Sequence, residues 1–291
     1  MDFPSYFADA ETDFREALFV LFGIPYDRTV SFRSGAKEAP DSIREASWNF
    51  EAFDILNGLN FKDIPVHDYG NLPINNNDKP EEMVKKTRKF TEYLLKNNKI
   101  PIGIGGEHST TIGIVSAFPK DTVVIVFDAH LDFRDKYQDE LYNHACVIRR
   151  LSEHIGVENI FIIGVRSADQ LEFEEATKKK LRFYDILDVY NRGIEGIIEE
   201  IKREIEDRDV YLTIDIDVFD PAYAPGTGTP EPFGLKPFDI IKSIDPINSN
   251  IIGLDIVEVC PPFDHGETSI LAAKLIRYII ESIWLEKKKK D

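Results

Sequence analysis

Short apolar runs, each giving way to helix-like sequence, recur along nearly the whole chain and narrow its architecture to very few solutions. They are Ala17 to Phe22, Ile64 to Tyr69, Ile100 to Ile104, Thr122 to Phe127, Ile160 to Val165, Leu181 to Tyr184, Val210 to Ile214 and Ile251 to Val257. They are rich in β-branched residues and several are nearly continuously hydrophobic, as strands covered on both faces are. Between them, Ile194, Ile197, Ile198, Ile201 and Ile205 trace one face of a helix. Pro80-Glu81-Glu82 opens a helix that should run through Lys96, with proline and acids in its first turn. Thr268 to Leu285 reads as a mostly apolar helix packed on the sheet, and Lys287 to Lys290 as a solvated tail suited to a helix C-terminus. Strand and helix in alternation favour a parallel sheet sandwiched by helices. The best turn cluster, Asn75 to Pro80, sits between a strand and a helix, so residues 1–291 are expected to form a single domain.

Charge and composition remove several function classes. A net charge of −17 argues against non-specific nucleic-acid binding, which needs a basic footprint, and is compatible with a cationic small substrate. No apolar run approaches the roughly 18 residues of a membrane span, so no membrane partner is expected. The N-terminal sequence lacks a basic region followed by an apolar stretch, so no secretory leader is expected. Cys146 and Cys260 are the two cysteines, too few for a disulfide framework, which points to the reducing cytoplasm.

Three of the strand candidates end in acids and imidazoles. Gly105-Gly106-Glu107-His108 follows the third, Asp128-Ala129-His130-Leu131-Asp132 the fourth, and Asp215-Ile216-Asp217 the seventh, with His108 expected at a helix start after two glycines that let the backbone turn tightly. In an open parallel α/β sheet the strand carboxyl ends line one crevice, where ligands bind. Four aspartates and two histidines gathered there would repel and be poorly solvated unless a cation neutralised them. A dinuclear divalent-metal site explains them most simply. In an extended segment, residues 128, 130 and 132 would share one face, and Asp215 and Asp217 would repeat the device. Oxygen and imidazole ligands suit manganese, and less distinctively iron, cobalt, nickel or zinc. Cysteine is absent from these motifs, which disfavours a structural zinc site.

These blocks resemble the signature motifs of the ureohydrolase family, the arginases, agmatinases and related guanidino hydrolases. The similarity extends to Gly23-Ile24-Pro25-Tyr26-Asp27, to Ala224-Pro225-Gly226-Thr227-Gly228-Thr229-Pro230, and to Asp255 through Pro262 with Asp264-His265. The later blocks are closer to agmatinases than to arginases. The resemblance implies a three-layer α/β/α domain with an eight-stranded parallel sheet and two Mn2+ ions. Carried over by motif, His108, Asp128, Asp132 and Asp217 or Asp215 would hold one or the other ion. His130 would serve the second, and Asp128, Asp132 and Asp215 are candidates for shared ligation. Asp132 would also relay a proton from the metal-bridging hydroxide, Glu258 would bind the guanidinium, and His144, whose near-neutral pKa suits the role, would shuttle a proton. Here His144 stands in Asn143-His144-Ala145, where the family's common form is Ser-His-Gly, and Phe233 stands where a glycine is more usual.

The same resemblance implies a hydrolase for a small cationic guanidino substrate, working as a homo-oligomer, trimer or hexamer. Segment 133–142 lacks the arginase pattern and carries several acids, which would suit the ammonium tail of agmatine. The expected reaction is therefore hydrolysis of agmatine to urea and putrescine. Guanidinobutyrase, arginase, guanidine hydrolase and formiminoglutamase activities are the alternatives.

Overall fold

The computed structural model of the protein describes residues 3–290. Its centre is an eight-stranded parallel sheet. In chain order the strands are β1 (Phe19–Ile24), β2 (Val66–Asn71), β3 (Ile100–Gly105), β4 (Val123–Phe127), β5 (Ile160–Val165), β6 (Arg182–Asp185), β7 (Val210–Asp215) and β8 (Ile251–Val257). Their order across the sheet is β2-β1-β3-β8-β7-β4-β5-β6. All eight expected strands are present, within two or three residues of the expected bounds. A two-stranded antiparallel hairpin, Phe53–Asp54 with Leu59–Asn60, lies outside the sheet.

Strand alternation divides the interior into two cores. Phe19 and Leu21 of β1 and Val123, Ile125 and Phe127 of β4 face one side. Val20, Phe22 and Ile24, with Val124 and Val126, face the other. On the first side pack α1 (Ala39–Ser47), α6 (Ile186–Arg192), α7 (Ile194–Ile205), α8 (Pro237–Ile244) and α9 (Glu267–Lys290). On the second pack α2 (Pro80–Lys96), α3 (Thr110–Val115), α4 (Val147–Ile155) and α5 (Gln170–Lys178). The molecule is thus a three-layer α/β/α sandwich. Helix α7 buries the five isoleucines that its sequence period picked out. Helix α2 starts and stops at the expected residues.

Two expectations need correction. The lysine run is not a tail after the last helix, because α9 continues through it to Lys290. Helix-forming lysines there complement the negative end of the helix dipole, so nothing in the sequence stops the helix at Leu285. His108 was expected at a helix start, but α3 begins two residues later, at Thr110.

The β2 edge is covered by the N-terminal segment. Asp68 N donates to Ala10 O, and Glu11 pairs antiparallel with His67. Arg44 of α1 reaches into the same edge. Its Nε and Nη2 donate to the Asp68 carboxylate at 2.7 and 3.0 Å, and its Nη1 to Asn71 Oδ1 at 2.6 Å.

Candidate metal centre

The order β3-β8-β7-β4 places four strand carboxyl ends side by side, and the motif-bearing loops leave from them. His108 follows β3, Glu258 follows β8, Asp215 and Asp217 end and follow β7, and Asp128, His130 and Asp132 follow β4. Residues far apart in sequence therefore meet at one point.

Two groups result, and Asp128 belongs to both. In the first, His108 Nδ1 lies 3.1 Å from Asp128 Oδ2, 3.3 Å from Asp132 Oδ2 and 3.4 Å from Asp215 Oδ2. In the second, His130 Nδ1 lies 3.0 Å from Asp217 Oδ2 and 3.6 Å from Asp128 Oδ1. The expected alternation along an extended 128–132 segment is not how they converge. Strand β4 ends at Phe127, and Asp132 turns back with φ of 47°, a left-handed conformation that an aspartate adopts at a cost. Asp215 keeps one oxygen as a turn cap, accepting from Asp217 N at 2.9 Å, while the other faces His108.

The residues fit a metal pair on a test internal to the molecule. His108 Nδ1 and Asp128 Oδ2 are buried and have no hydrogen-bond partner. The other ring nitrogen explains the state of the first. Thr213 Oγ1 donates its single proton to Asp255 Oδ1 at 2.5 Å, so it can only accept from His108 Nε2, 3.2 Å away. His108 thereby keeps hydrogen on Nε2, so Nδ1, which faces three carboxylates, is the nitrogen that a proton or a metal ion would occupy. A carboxylate-backed imidazole of this kind is the usual outer support of a metal ligand. The electrostatics agree. Burial alone would lower the His108 and His130 pKa values, yet the facing aspartates hold both well above the ordinary 6.5. Burial, with Asp128 nearby, pushes Asp132 up to about 7, and burial with Asp217 and Asp128 holds Asp215 well above its usual range. Protons here stand in for the positive charge that the donor set lacks.

A cavity of about 280 Å³ opens above these groups. His144 and Glu258, expected at the site, both line it. Glu258 is 6% exposed, sits at φ of 63°, and accepts from His108 N with Oε1 at 2.7 Å. Burial lifts its carboxyl to about 8, so it too lacks a cation. His144 departs from its expected near-neutral value, because burial pushes the ring down to about 4. The acids of segment 133–142 do not form the mouth; that segment contributes Arg134 and Tyr137, with Arg134 stacked on the Tyr137 ring. The acids that line the cavity from the start of α5 are Asp169, which is exposed, and Glu172, which is buried and faces Arg134 Nε at 3.4 Å. Reasoning from sequence missed them because that segment carries no motif and reads as an ordinary capped helix start. That role is real as well: Asp169 caps α5 and Glu172 completes the capping box. His265 is exposed, outside the cavity lining.

Residues 17–281 match the arginase family. The chain belongs to that family. It is an enzyme of the metal-dependent amidinohydrolase type. It is similar to the agmatinase of Bacillus anthracis, 35% identical over 285 residues that cover 94% of each chain. It is also similar to the N(1)-aminopropylagmatine ureohydrolase of Thermococcus kodakarensis, 38% identical and covering 91% of this chain and 90% of that one. The crystal structure of the agmatine ureohydrolase of Thermoplasma volcanium superposes with a TM-score of 0.95 at 40% identity, covering 100% of this chain and 98% of the other. The arginase-family fold was the one expected from the motifs.

Proposed function

We propose that this chain hydrolyses the guanidino group of agmatine, releasing urea and putrescine, with two manganese ions held by His108, Asp128, Asp132, His130, Asp215 and Asp217. The observation that carries the reading is the pair of donor groups sharing Asp128 at the floor of a cavity walled by Glu258. Bound there, two divalent ions would supply Lewis acidity and lower the pKa of a bound water.

The chain's own groups do the rest. With Oε1 engaged by His108 N, Glu258 keeps Oε2 for the guanidinium, a planar cation that a carboxylate recognises with directional, charge-assisted hydrogen bonds. Its burial strengthens that pairing and excludes water from it. Asp132 lines the cavity beside His108, placed to take a proton from bound water and hand it on. His144 stands on the cavity wall, where its ring can carry a proton to or from the departing amine. Asp169, exposed on the cavity lining, favours a substrate whose far end is an ammonium rather than a carboxylate. The related agmatinases and the aminopropylagmatine ureohydrolase support a polyamine-type substrate.

The same reading takes the chain as one catalytic domain that assembles as a trimer or hexamer in the cytoplasm. Exposed Leu171, Leu187, Tyr190 and Phe233 support assembly. Two buried free cysteines and, among the described residues, no helix long and apolar enough to cross a membrane are compatible with that compartment.

The test is urea release by the manganese-loaded protein from a panel of guanidino compounds. Agmatine should be turned over with the highest kcat/KM and arginine hardly at all. A higher kcat/KM for N(1)-aminopropylagmatine would move the assignment to the longer polyamine, and efficient arginine turnover with inert agmatine would sink it. Glu258→Gln should lower kcat/KM by about 10- to 100-fold, the worth of a hydrogen bond to a charged group, with metal content unchanged.

A further inference from the structure

Behind His144 lies a hydrogen-bond chain that the metal cluster does not explain. Thr29, in the segment after β1, is 7% exposed. The fully buried Glu107 grips it twice. Thr29 N donates to Glu107 Oε2 at 2.6 Å, and Thr29 Oγ1 donates to Glu107 Oε1 at 2.6 Å. Ser109 Oγ donates to that same Oε1. The His144 backbone N–H donates to Thr29 Oγ1 at 3.1 Å, and the ring's Nδ1 lies 3.4 Å from that oxygen.

A hydroxyl has one proton to give and two lone pairs to offer. Two acceptors compete for the Thr29 proton: a carboxylate oxygen at 2.6 Å and an imidazole nitrogen at 3.4 Å. The short contact wins. Thr29 Oγ1 can then only accept, and its second lone pair faces Nδ1. That nitrogen meets the oxygen favourably only if it carries hydrogen. A neutral imidazole has one ring N–H, so Nε2 is left bare.

We propose that Thr29, clamped by Glu107, is a positioning residue that fixes His144 as the Nδ1–H tautomer and leaves Nε2 as the ring's proton-accepting atom. The arrangement is the counterpart of Thr213 and Asp255 behind His108. The same threonine–carboxylate pair sets opposite tautomers because it meets Nδ1 in one ring and Nε2 in the other. The consequence for turnover rests on His144 carrying a proton in the reaction proposed above; the tautomer itself does not.

Neutron diffraction from crystals of the manganese-loaded enzyme reads the tautomer directly. Deuterium on Nδ1 of His144 with none on Nε2 is expected. Deuterium on Nε2, alone or with Nδ1, overturns the inference whatever the enzyme's substrate proves to be. Kinetics form the second arm. Thr29→Val removes the hydroxyl at constant shape and should lower kcat for agmatine by about 10- to 100-fold with KM little changed. Thr29→Ser, which keeps the hydroxyl, should recover most of that loss, and metal content should stay at the wild-type value in both. Equal kcat in Thr29→Val and wild type would overturn the role in turnover. If wild type releases urea from no guanidino compound, the proposed function fails, and the deuterium map still judges the tautomer.

Discussion

Asp128 is where the two donor groups join, and its surroundings show how much one side chain is asked to do. It is fully buried, faces His108 with one oxygen and His130 with the other, and accepts the His130 backbone N–H at 2.6 Å. Burial works against its charge, but the two imidazoles hold its pKa well below the ordinary carboxylate value. The groups behind the ligands are as informative as the ligands. Thr213 and Asp255 hold His108 with hydrogen on Nε2 and Nδ1 turned to the carboxylates, so Thr213→Val should release the ring. Metal affinity, read by titration of the metal-stripped protein, should weaken by about 10- to 100-fold, as for other partners of ligating histidines. An unchanged affinity would deny Thr213 that role. His144 offers a pH test. Its folded-state pKa of about 4 lies below its ordinary 6.5, so between those values the unfolded chain takes up a proton that the folded chain refuses. The stability it contributes is complete above pH 6.5 and is lost as pH falls towards 4. Denaturant titrations at constant excess metal should show wild type losing more stability across that window than His144→Asn; parallel curves would contradict the depressed pKa.

At the scale of elements, the sheet order matters more than any single strand. Parallel strands β3, β8, β7 and β4 are neighbours in space but come from the third, eighth, seventh and fourth positions in the chain, so crossovers bring remote loops to one crevice. The elements that seal the flank are less apparent from sequence. Arg44 ties α1 to the β2 edge through Asp68 and Asn71, with its side chain 2% exposed and that of Asp68 at 0%. Arg44→Ala would leave a buried carboxylate short of its cation, and should cost about 3–5 kcal/mol by denaturant titration. A loss under 1 kcal/mol would show that water reaches Asp68 and that the pair is not needed. The loop carrying Phe233 displays the reverse relation between sequence and structure. Its φ of 66° and 82% exposure give the physical reason a glycine suits this position, and why a phenylalanine survives there: the backbone bears some strain but the side chain meets no obstacle.

For the whole molecule, the site is bound up with folding because its ligands come from loops after three different strands. Ions that bind the folded donor set and not the unfolded chain add stability by mass action, about 4 kcal/mol when free metal stands at a thousand times its dissociation constant. Exhaustive chelation should therefore lower the melting temperature and abolish urea release together, and returned manganese should restore both. Full activity after metal analysis reads zero would remove the mechanism. The chain's net charge of −17 bears on the same point, since buried aspartates gathered at one crevice repel one another until cations arrive.

Sequence alone determined the elements and the inventory of chemistry. Strand period, helix period and turn residues are local properties, so all eight strands, the bounds of α2 and the buried face of α7 were readable. The candidate ligands were readable too, because a strand followed at once by acids and histidines is a local pattern. Tertiary structure decided everything that depends on which remote atoms share one proton or one pocket. Thr29 meets Glu107 and His144 across separations of 78 and 115 residues, and Thr213 meets His108 across 105. Asp169 and Glu172 reach the cavity only because β5 lies beside β4. Hydrogen-bond direction is set by the full set of donors and acceptors around an atom, and no stretch of neighbouring residues contains that set.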